Sequence, residues 1–303
     1  MKVLFITREY PPFDVGGIAV HTFNLVKNIA KLGVSCKVLS FGDEKFSSKD
    51  VTFVTPSSSI IERSNVSLAL NARIPADIVR FSKIANRTLK NEQFDAVHVE
   101  EPYVGGLILP SGHQVKVTTF HTTSFGEIKA MIGHSLNGYG LKRAFFYSTL
   151  GLSMELMGIA SSTSLIVPTQ QVADELCKIY RTSTGKVQII RNGVELPELD
   201  ETANKADAKQ KLGLSPETVL ILSVGRLVAR KHVDLLVKAT KILQGEKLNQ
   251  YRIVIVGEGP ELSNVVRLVK EYSLQSIVEL PGRISNEQRD LYYQAADLSL
   301  IHI

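Results

Sequence analysis

Short apolar runs, many of them β-branched, alternate with amphipathic helical patterns along this chain. Lys2–Thr7, Val115–Phe120 and Val219–Val224 have the length of single strands, and helical spacing appears between such runs, as in Gly17–Leu32 and Val233–Leu243. Continuous apolar strands separated by helices are typical of parallel sheets with helices on both faces. The sequence therefore predicts an α/β fold built on doubly wound parallel sheets.

The same patterns predict the other elements. Further strands are expected at Cys36–Phe41, Thr52–Thr55, Ala96–Val99, Ser164–Val167, Val187–Ile190, Arg252–Val256 and Ile277–Leu280. Further helical regions are expected at Ala76–Asn91, Gly126 to about Ile159, Gln170–Tyr180, Pro260–Tyr272 and Asn286–Ala295. The carboxyl ends of such parallel strands are where α/β sheets bind ligands.

The length of 303 residues is about twice that of a usual domain and predicts two of them. Residues 197–212 are polar, with no apolar periodicity at their start, and are predicted to link an N-terminal domain, 1–196, to a C-terminal domain, 213–297. The second domain has only three complete strand–helix units. We therefore expect it to be incomplete, with an open sheet edge and low stability.

The last six residues, 298–303, match the translation of the mosaic end of a transposase-based sequencing adapter. This match predicts that they derive from an adapter, so we leave them out of the fold prediction as one would a cloning scar. The alternative is an ordinary strand beginning at Leu298.

Cations follow the strand Val219–Val224 directly. Arg226 offers a bidentate guanidinium and Lys231 a compact ammonium, and both groups suit a diphosphate. The turn after such a strand is where α/β sheets bind phosphate, so a diphosphate ligand is predicted here. The alternative is a pair of solvated charges beside a helix.

Paired glycines close the loop between the first strand and the first helix. Gly16 and Gly17 would let a ligand approach the backbone at a helix N-terminus, where free N–H groups favour an anion. The spacing is not that of a dinucleotide-binding fingerprint, which disfavours a dehydrogenase. A tight turn that needs glycine is the alternative.

Two histidines end strands. His121 follows Val115–Phe120 between threonines, where an imidazole would point into a ligand crevice and could donate to a phosphate or a sugar hydroxyl. His98 precedes Glu100 and Glu101, but no second ligand is spaced along the chain to complete a metal site, so a packed histidine is favoured. No metal site is predicted.

Two glycine-containing turns also follow strands. Gly257 and Glu258 precede Pro260, which suits the first position of a helix, and the glycines could approach a ligand. The Asn192–Gly193 pair predicts a turn that shapes a hinge or a cleft edge. A simple strand-to-helix turn explains the first of these equally well, and plain turn chemistry is favoured for the second.

Composition excludes several classes of protein. The two cysteines, Cys36 and Cys177, are too few for a disulfide framework and fit a reducing cytosol. Neither a signal peptide nor a transmembrane helix is predicted. The net charge of +5 lies entirely before residue 196, which permits peripheral contact with an anionic inner membrane face. Because the charge is not clustered and tryptophan is absent, nucleic-acid binding is not predicted.

Taken in order, these motifs resemble family 4 of the glycosyltransferases, retaining enzymes of the GT-B fold, in which two Rossmann-like domains face each other across a cleft. The resemblance covers nearly all of the first domain and about half of the second. It rests on Tyr10–Gly17, Thr119–His121, Ile190–Val194, Gly225–Lys231, Gly257–Pro260 and Ala295–Asp297.

The resemblance implies a role for each matching residue. The backbone of Gly16 and Gly17 would lie near the donor diphosphate and the acceptor, and His121 would meet the donor sugar or its phosphate. Arg226 and Lys231 would hold the pyrophosphate. Gly257 and Glu258 would lie near the nucleotide. The implied partners are a nucleotide diphosphate sugar as donor and a saccharide or lipid-linked acceptor, without a cofactor.

Three departures from the family pattern stand out. His232 replaces a glycine after the lysine, and Arg191 replaces a proline before Asn–Gly. The family's Glu-x7-Glu motif, which would orient donor sugar and ribose, falls beyond Asp297. We therefore expect this chain to have little or no transferase activity. Two alternatives stay open, a nucleotide-sugar epimerase of the same architecture and a non-catalytic nucleotide-binding fragment.

Overall fold

The contacts of the chain divide it into two units, Met1–Glu195 and Leu196–Ile303. The computed structural model describes residues 1–13, 16–55, 74–110, 114–131, 144–193, 204–228, 231–245 and 250–300. Each unit contains its own parallel sheet, which confirms the predicted α/β class.

A seven-stranded sheet forms the centre of the first unit. Its strands are β1 (Lys2–Ile6), β2 (Ser35–Phe41), β3 (Val51–Val54), β4 (Ala96–Val99), β5 (Val115–Thr119), β6 (Ser164–Val167) and β7 (Val187–Ile189). They lie in the order β3-β2-β1-β4-β5-β6-β7, and every neighbouring pair is parallel. The carboxyl ends of β1, β4 and β5 are therefore adjacent at one edge of the sheet.

Helices connect these strands. They are α1 (Gly17–Lys31), α2 (Ile74–Asn91), α3 (Pro102–Gly105), α4 (Ser124–Met131), α5 (Leu152–Ser161) and α6 (Gln170–Lys178). A π-helical turn, Tyr147–Gly151, leads into α5. The predicted helical region from Gly126 to Ile159 thus contains two separate described helices, and residues 132–143 lie outside the described part.

The main core of this unit surrounds β1, whose residues Leu4, Phe5 and Ile6 are fully buried. Phe81, Ala85 and Leu89 of α2 pack into the same core, as do Leu25 and Ile29 of α1. A period of four or three residues places these side chains on one face of each helix. Burial of these faces fixes the positions of the strands, and therefore the positions of the residues that follow each strand.

The second unit has four described strands, β8 (Val219–Val224), β9 (Tyr251–Val256), β10 (Val278–Gly282) and β11 (Leu298–Ser299), in the order β10-β9-β8-β11. Its helices are α7 (Lys205–Lys211), α8 (Val233–Gly245), α9 (Leu262–Glu271) and α10 (Asn286–Ala295). Ile253 and Ile255 of β9 join the core formed with α8 and α9. Val254 and Val256 join the core formed with α7 and α10. Successive residues of β9 thus face opposite sides of the sheet, which confirms that helices cover both of its faces.

Three predictions need correction or comment. The linker predicted over 197–212 is too long, because α7 lies within it and buries Ala208 against Leu220 and Leu222. Pro260 is not at the first helical position, since α9 begins at Leu262 after a turn. Leu298 and Ser299, assigned to the tail, pair with Ile221 and Leu222 of β8, and the origin of residues 298–303 stays a prediction.

Candidate functional site

Charged side chains converge at the carboxyl edge of the first sheet. Arg8 and Glu9 follow β1, Glu100 and Glu101 follow β4, and His121 follows β5. Because these strands are neighbours and parallel, their following residues meet although they are far apart in the chain. This is the edge at which the sequence predicted a ligand.

Glu100 lies at the centre of this edge and is fully buried. Its Oε2 is 3.2 Å from Nε2 of His121 and 3.6 Å from Nε2 of His21, which lies one turn into α1. Its Oε1 is 3.5 Å from Nε2 of His98. A buried carboxylate is thus surrounded by three imidazoles, here called the histidine–Glu100 cluster. Sequence reasoning singled out His121, set His98 and the neighbouring Glu100 aside, and did not consider His21.

Burial and charge act in opposite directions within this cluster. Burial by itself raises the pKa of Glu100, but the hydrogen bond from His121 and the nearby imidazoles outweigh it and hold the pKa below its usual range. Burial lowers the pKa values of His21 and His98 despite the attraction of Glu100. The carboxylate form of Glu100 and neutral imidazoles at His21 and His98 are therefore favoured.

His98 is held by a second contact. Its Nε2 lies 2.8 Å from the hydroxyl of Thr119, the last residue of β5. The packed role that the sequence favoured for His98 is compatible with this bond. Its imidazole nevertheless also faces the carboxylate of Glu100, so it helps to orient that group.

A second group of charges lies beside the cluster. Nη2 of Arg8 is 2.7 Å from Oε1 of Glu9 and 3.2 Å from Oε1 of Glu101, and both carboxylates are buried. Burial by itself lowers the pKa of Arg8, but the two carboxylates outweigh it and raise that pKa. Burial raises the pKa of Glu101. Oε2 of Glu9 and Oε2 of Glu101 have no hydrogen-bond partner among the described residues.

The glycine loop meets this group at the start of α1. The helix begins at Gly17 with Gly16 as its N-cap residue, and no side chain of the described residues forms a capping hydrogen bond there. A Cβ at Gly16 would lie 3.6 Å from Oε2 of Glu9, whereas a Cβ at Gly17 would meet nothing within 4 Å. The backbone of Gly16 therefore lies beside a buried carboxylate. Asp14 and Val15 lie outside the described residues.

A buried polar network holds the turn that carries His121. The backbone N–H of Ser124 donates to Oε1 of Glu155 at 2.6 Å, and the hydroxyls of Tyr103 and Tyr180 donate to the same carboxylate. The hydroxyl of Thr123 donates to Oε2 of Glu175 at 2.6 Å. These bonds tie the turn after β5 to α5 and α6.

The predicted phosphate-binding residues of the second unit lie at the carboxyl end of β8. Arg226 and Lys231 are exposed, and neither forms an ion pair with a described residue. The N–H of Leu227 donates to the carbonyl of Glu258 at 2.8 Å, so the turns after β8 and β9 lie side by side. His232 adopts a positive φ of 49°, a conformation that its family counterpart glycine adopts freely.

Gly257 lies directly against the turn after β8. A Cβ there would lie 2.0 Å from the carbonyl oxygen of Gly225, and φ is +135°. Gly259 is similarly constrained, with 2.2 Å to the carbonyl oxygen of Leu227 and a φ of +156°. Close backbone approach explains both glycines, whether or not a ligand also binds there. Ile190 continues from β7, with its N–H bonded to the carbonyl of Val167, and residues 194–203 lie outside the described part.

Two units, each built on a parallel sheet, match the architecture of GT-B glycosyltransferases. The model of Glycosyltransferase Family 4 matches residues 15–198, and that of Glycosyl transferases group 1 matches residues 204–302. The chain therefore belongs to glycosyltransferase family 4, as the motifs predicted.

Individual relatives agree with this assignment. The chain is 23% identical to the uncharacterized glycosyltransferase MJ1607 of Methanocaldococcus jannaschii, over 99% of this chain and 74% of the relative. It is 22% identical to alpha-monoglucosyldiacylglycerol synthase of Acholeplasma laidlawii, with the same coverage.

Solved structures show the same fold. Sucrose-phosphate synthase from Thermosynechococcus elongatus matches with a TM-score of 0.74 at 17% identity, over 99% of this chain and 74% of that one. The Anabaena protein HepE, solved with UDP and glucose, matches with a TM-score of 0.64 at 15% identity, over 99% of this chain and 73% of that one. No helix within the described ranges is both long and apolar enough to cross a membrane.

Proposed function

We propose that this protein is a retaining glycosyltransferase that moves a sugar from a nucleotide diphosphate sugar to a hydroxyl group of a saccharide or lipid-linked acceptor. Family membership defines the reaction class as glycosyl transfer. The retention of configuration, the donor and the acceptor are the new parts of the proposal.

The pair of exposed cations after β8 carries the donor assignment. Arg226 and Lys231 lie where a parallel sheet binds phosphate, without a carboxylate partner among the described residues. A guanidinium and an ammonium together match the charge of a diphosphate. HepE has been solved with UDP and with UDP-glucose, and a starch synthase of the same fold with ADP, which supports a nucleoside diphosphate.

These cations also supply the main chemical requirement of the reaction. When the bond between the anomeric carbon and the diphosphate breaks, negative charge develops on the leaving group. Arg226 and Lys231 would stabilise that charge, which is the largest electrostatic demand of the step. In a retaining transfer the acceptor oxygen bonds to the face of the anomeric carbon from which the diphosphate leaves. Positioning of the acceptor therefore matters more than an enzymatic nucleophile.

The remaining site residues would position the ligands. The backbone of Gly16 and Gly17 would lie near the diphosphate and the acceptor, and His121 would donate to the donor sugar or its phosphate. Gly257 and Glu258 would lie beside the nucleotide. His121 is suited to this role because its ring is fixed by Glu100.

The acceptor proposal rests on relatives and on charge. Two relatives are named alpha-monoglucosyldiacylglycerol synthase, from Acholeplasma laidlawii and Streptococcus pneumoniae. The net positive charge before residue 196 suits the anionic cytoplasmic face of a membrane. We propose a cytoplasmic enzyme that contacts that face peripherally. Flotation with vesicles containing anionic lipid, compared with neutral vesicles, tests the contact.

Calorimetric titration tests the donor site. UDP, GDP, ADP and CDP are titrated into the wild type, Arg226→Ala, Lys231→Ala and the control Arg267→Ala, whose guanidinium lies on the exposed face of α9. We expect one diphosphate to bind, with affinity about 10- to 100-fold weaker in the first two variants and unchanged in the control. The donor assignment fails if no nucleoside diphosphate binds or if Arg226→Ala binds normally.

Product analysis tests the reaction. Incubation with the matching nucleotide sugar and an acceptor, followed by nuclear magnetic resonance of the anomeric proton, reports whether the configuration is retained. Release of a free epimer without acceptor would instead identify an epimerase. Binding without turnover would agree with the low activity expected of this chain and would favour a nucleotide-binding fragment.

A further inference from the structure

Four cations lie in a row along the exposed side of α2. They are Arg80, Lys83, Arg87 and Lys90, and they are here called the α2 basic stripe. At 3.6 residues per turn, the four positions lie within about 80° of one another around the helix axis. Like charges three or four positions apart repel each other and weaken a helix. A partner with negative charges would remove that repulsion.

Little negative charge compensates this stripe. Among the described residues, Arg80 is the one member of the α2 basic stripe in an ion pair, with its Nη2 3.3 Å from Oε1 of Glu44. Water screens that pair, since both side chains are about half exposed. Glu92, which directly follows α2, lies 3.2 Å from Nζ of Lys2 and 2.5 Å from Nζ of Lys37. Two ammonium groups thus outnumber one carboxylate, and the positive charge extends past the end of the helix.

A second helical segment of this unit exposes apolar side chains. Residues 144–161 are helical throughout and include the π-helical turn Tyr147–Gly151 and α5. Phe145, Leu152, Leu156 and Met157 are between 38% and 69% exposed, and they are here called the apolar stripe. Exposed apolar patches of this kind mark surfaces that bind a membrane or another molecule.

The two stripes lie on the same face of the first sheet. The connection through α2 joins β3 to β4 and the connection through α5 joins β5 to β6, so both cross the sheet in the same direction. Because such connections are right-handed, both helices cover one face. Ile78 of α2 and Met154 of α5 form one buried cluster, against which Phe146 and Leu150 pack. The helices are therefore neighbours, with both stripes turned away from the sheet.

Neither helix exposes a carboxylate beside these stripes. The acidic residues of α2 and of residues 144–161 are Asp77 and Glu155, which are 2% and 0% exposed. The outward surface of the two helices therefore combines cations with apolar side chains. An acidic protein would suit the cations but not the adjoining apolar side chains. An anionic bilayer suits both, because its head groups carry negative charge and its acyl chains begin directly beneath them.

We propose that the α2 basic stripe and the apolar stripe together form the surface that binds an anionic phospholipid bilayer. The cations of α2 lie among the lipid phosphates, and the apolar stripe enters the boundary between head groups and acyl chains. This inference rests on the proposed function, which includes a peripheral membrane contact, and it names the residues that make the contact. The residues assigned to donor binding take no part in it.

Flotation of the full chain with vesicles tests the basic stripe. The vesicles contain either equal parts of phosphatidylglycerol and phosphatidylcholine or phosphatidylcholine alone. Each cation near an anionic surface strengthens binding roughly fivefold. The double variant Lys83→Gln/Arg87→Gln should therefore bind the anionic vesicles about 25-fold more weakly than the wild type. Glutamine favours helices about as well as lysine and arginine, so α2 should remain folded.

The control Lys31→Gln/Lys49→Gln removes the same charge from the other face of the sheet. Both lysines are exposed, and they lie in the connections from β1 to β2 and from β2 to β3, which cross the sheet in the opposite direction to α2. Charges farther from the membrane than the Debye length, about 10 Å at 0.1 M salt, are screened. The control should therefore bind anionic vesicles within about threefold of the wild type.

Tryptophan fluorescence tests the apolar stripe. The chain contains no tryptophan, so Leu156→Trp introduces a single reporter at an exposed position of α5. Anionic vesicles should shift its emission to shorter wavelength, because the indole leaves water for the membrane interface. The control Leu32→Trp, at the C-terminal end of α1 and 82% exposed, should show no shift.

The outcomes separate this inference from the proposed function. Equal affinity of the two double variants for anionic vesicles overturns the assignment to this surface, while a wild-type preference for anionic over neutral vesicles would keep the membrane contact. Equal binding of the wild type to both kinds of vesicle overturns the contact and the surface together. A shift of Leu156→Trp emission that grows with protein concentration without vesicles would assign the apolar stripe to a second copy of the chain and overturn the proposal. Donor binding is measured separately by calorimetry, in which Lys83→Gln/Arg87→Gln should match the wild type.

Discussion

The α-carbon of Gly257 faces the carbonyl oxygen of Gly225 so closely that a Cβ would lie 2.0 Å from that oxygen. The N–H of Gly225 in turn donates to the carbonyl of Val256 at 2.9 Å. The turns after β8 and β9 are therefore packed backbone to backbone. This contact sets the position of Arg226, which directly follows Gly225.

Gly257→Ala should destabilise the second unit by at least about 3 kcal/mol, because it adds a backbone clash to an unfavourable φ of +135°. The matched control is Gly213→Ala, which also has positive φ, +70°, but no atom within 4 Å of the added Cβ. The free energy of unfolding of that variant should fall by only about 1 kcal/mol. Urea unfolding combined with hydrogen exchange of residues 219–256 measures both, and equal losses would contradict the role of the contact.

Lys116 carries a buried ammonium whose three donors are all used. It is 1% exposed and donates to the carbonyls of Gly105 and Ile108, each at 2.8 Å, and to the hydroxyl of Ser161 at 2.7 Å. Lys116→Met would leave these acceptors without that donor, and we expect a loss of about 2–5 kcal/mol in the free energy of unfolding. Lys83→Met, on the exposed side of α2, should change it by less than about 0.5 kcal/mol. Chemical denaturation compares the two.

The same lysine predicts a pH dependence. Burial lowers the pKa of Lys116 to about 8 from 10.5. The unfolded chain therefore binds more protons than the folded one between these values, and stability rises with pH in that window. Relative to Lys116→Met, the wild type should gain up to about 3 kcal/mol between pH 8 and pH 10.5. A constant difference between the two proteins across this range would refute the assignment.

Asp297 connects β8 to α7. Its carboxylate lies 2.7 Å from Nζ of Lys209, which is buried, and accepts a hydrogen bond of 2.9 Å from the N–H of Leu220. Although partial burial by itself raises the pKa of Asp297, hydrogen bonds from two lysines and this N–H lower it to about 2.

Asp297→Asn should therefore lower the stability of the second unit by about 1 kcal/mol at neutral pH, a value reduced for the partial exposure of the carboxylate. Because the folded pKa is depressed, this contribution is complete above about pH 4 and disappears as the pH falls through 2. Unfolding curves of the two proteins should converge in acid. A gap that persists at pH 2 would argue against the charge pair.

Thr123 uses its hydroxyl twice. It donates to Glu175 at 2.6 Å and accepts from the N–H of Gly126 at 2.9 Å, which caps the first turn of α4. Thr123→Val keeps the shape but leaves Oε2 of the buried Glu175 carboxylate without this donor, so we expect the free energy of unfolding to fall by about 1–3 kcal/mol. Thr123→Ser keeps the hydroxyl and should recover most of it. Faster hydrogen exchange in residues 124–131 of the valine variant alone would locate the effect, and equal exchange in both variants would contradict it.

Local pattern predicted most strands to within a residue. Ala96–Val99, Ser164–Val167 and Val219–Val224 have the predicted bounds, because a buried parallel strand needs an unbroken apolar run that few other structures tolerate. The first residues of helices were predicted less accurately. The start of α9 at Leu262 instead of Pro260 depends on the turn that packs Gly259 against Leu227, a contact between distant segments.

The predicted linker, 197–212, contains a helix that local sequence pattern did not predict. Residues 205–211 are mostly polar, yet they form α7, since Asn204 accepts a hydrogen bond from the N–H of Ala206 and Ala208 packs on β8. Two alanines, Ala206 and Ala208, are too weak a periodic signal to predict a helix. Packing against a strand that begins 11 positions after Ala208 supplies the missing stabilisation.

The sequence by itself determined the α/β class, the two-unit organisation, the family and the strand-end positions of His121 and Arg226, because strand length, helical period and short motifs are local properties. Only the tertiary structure decided that His21, His98 and His121 surround Glu100 and that Gly257 lies against Gly225. These contacts depend on which parallel strands become neighbours, and strand order is set by the burial of whole helix and sheet faces rather than by any short segment.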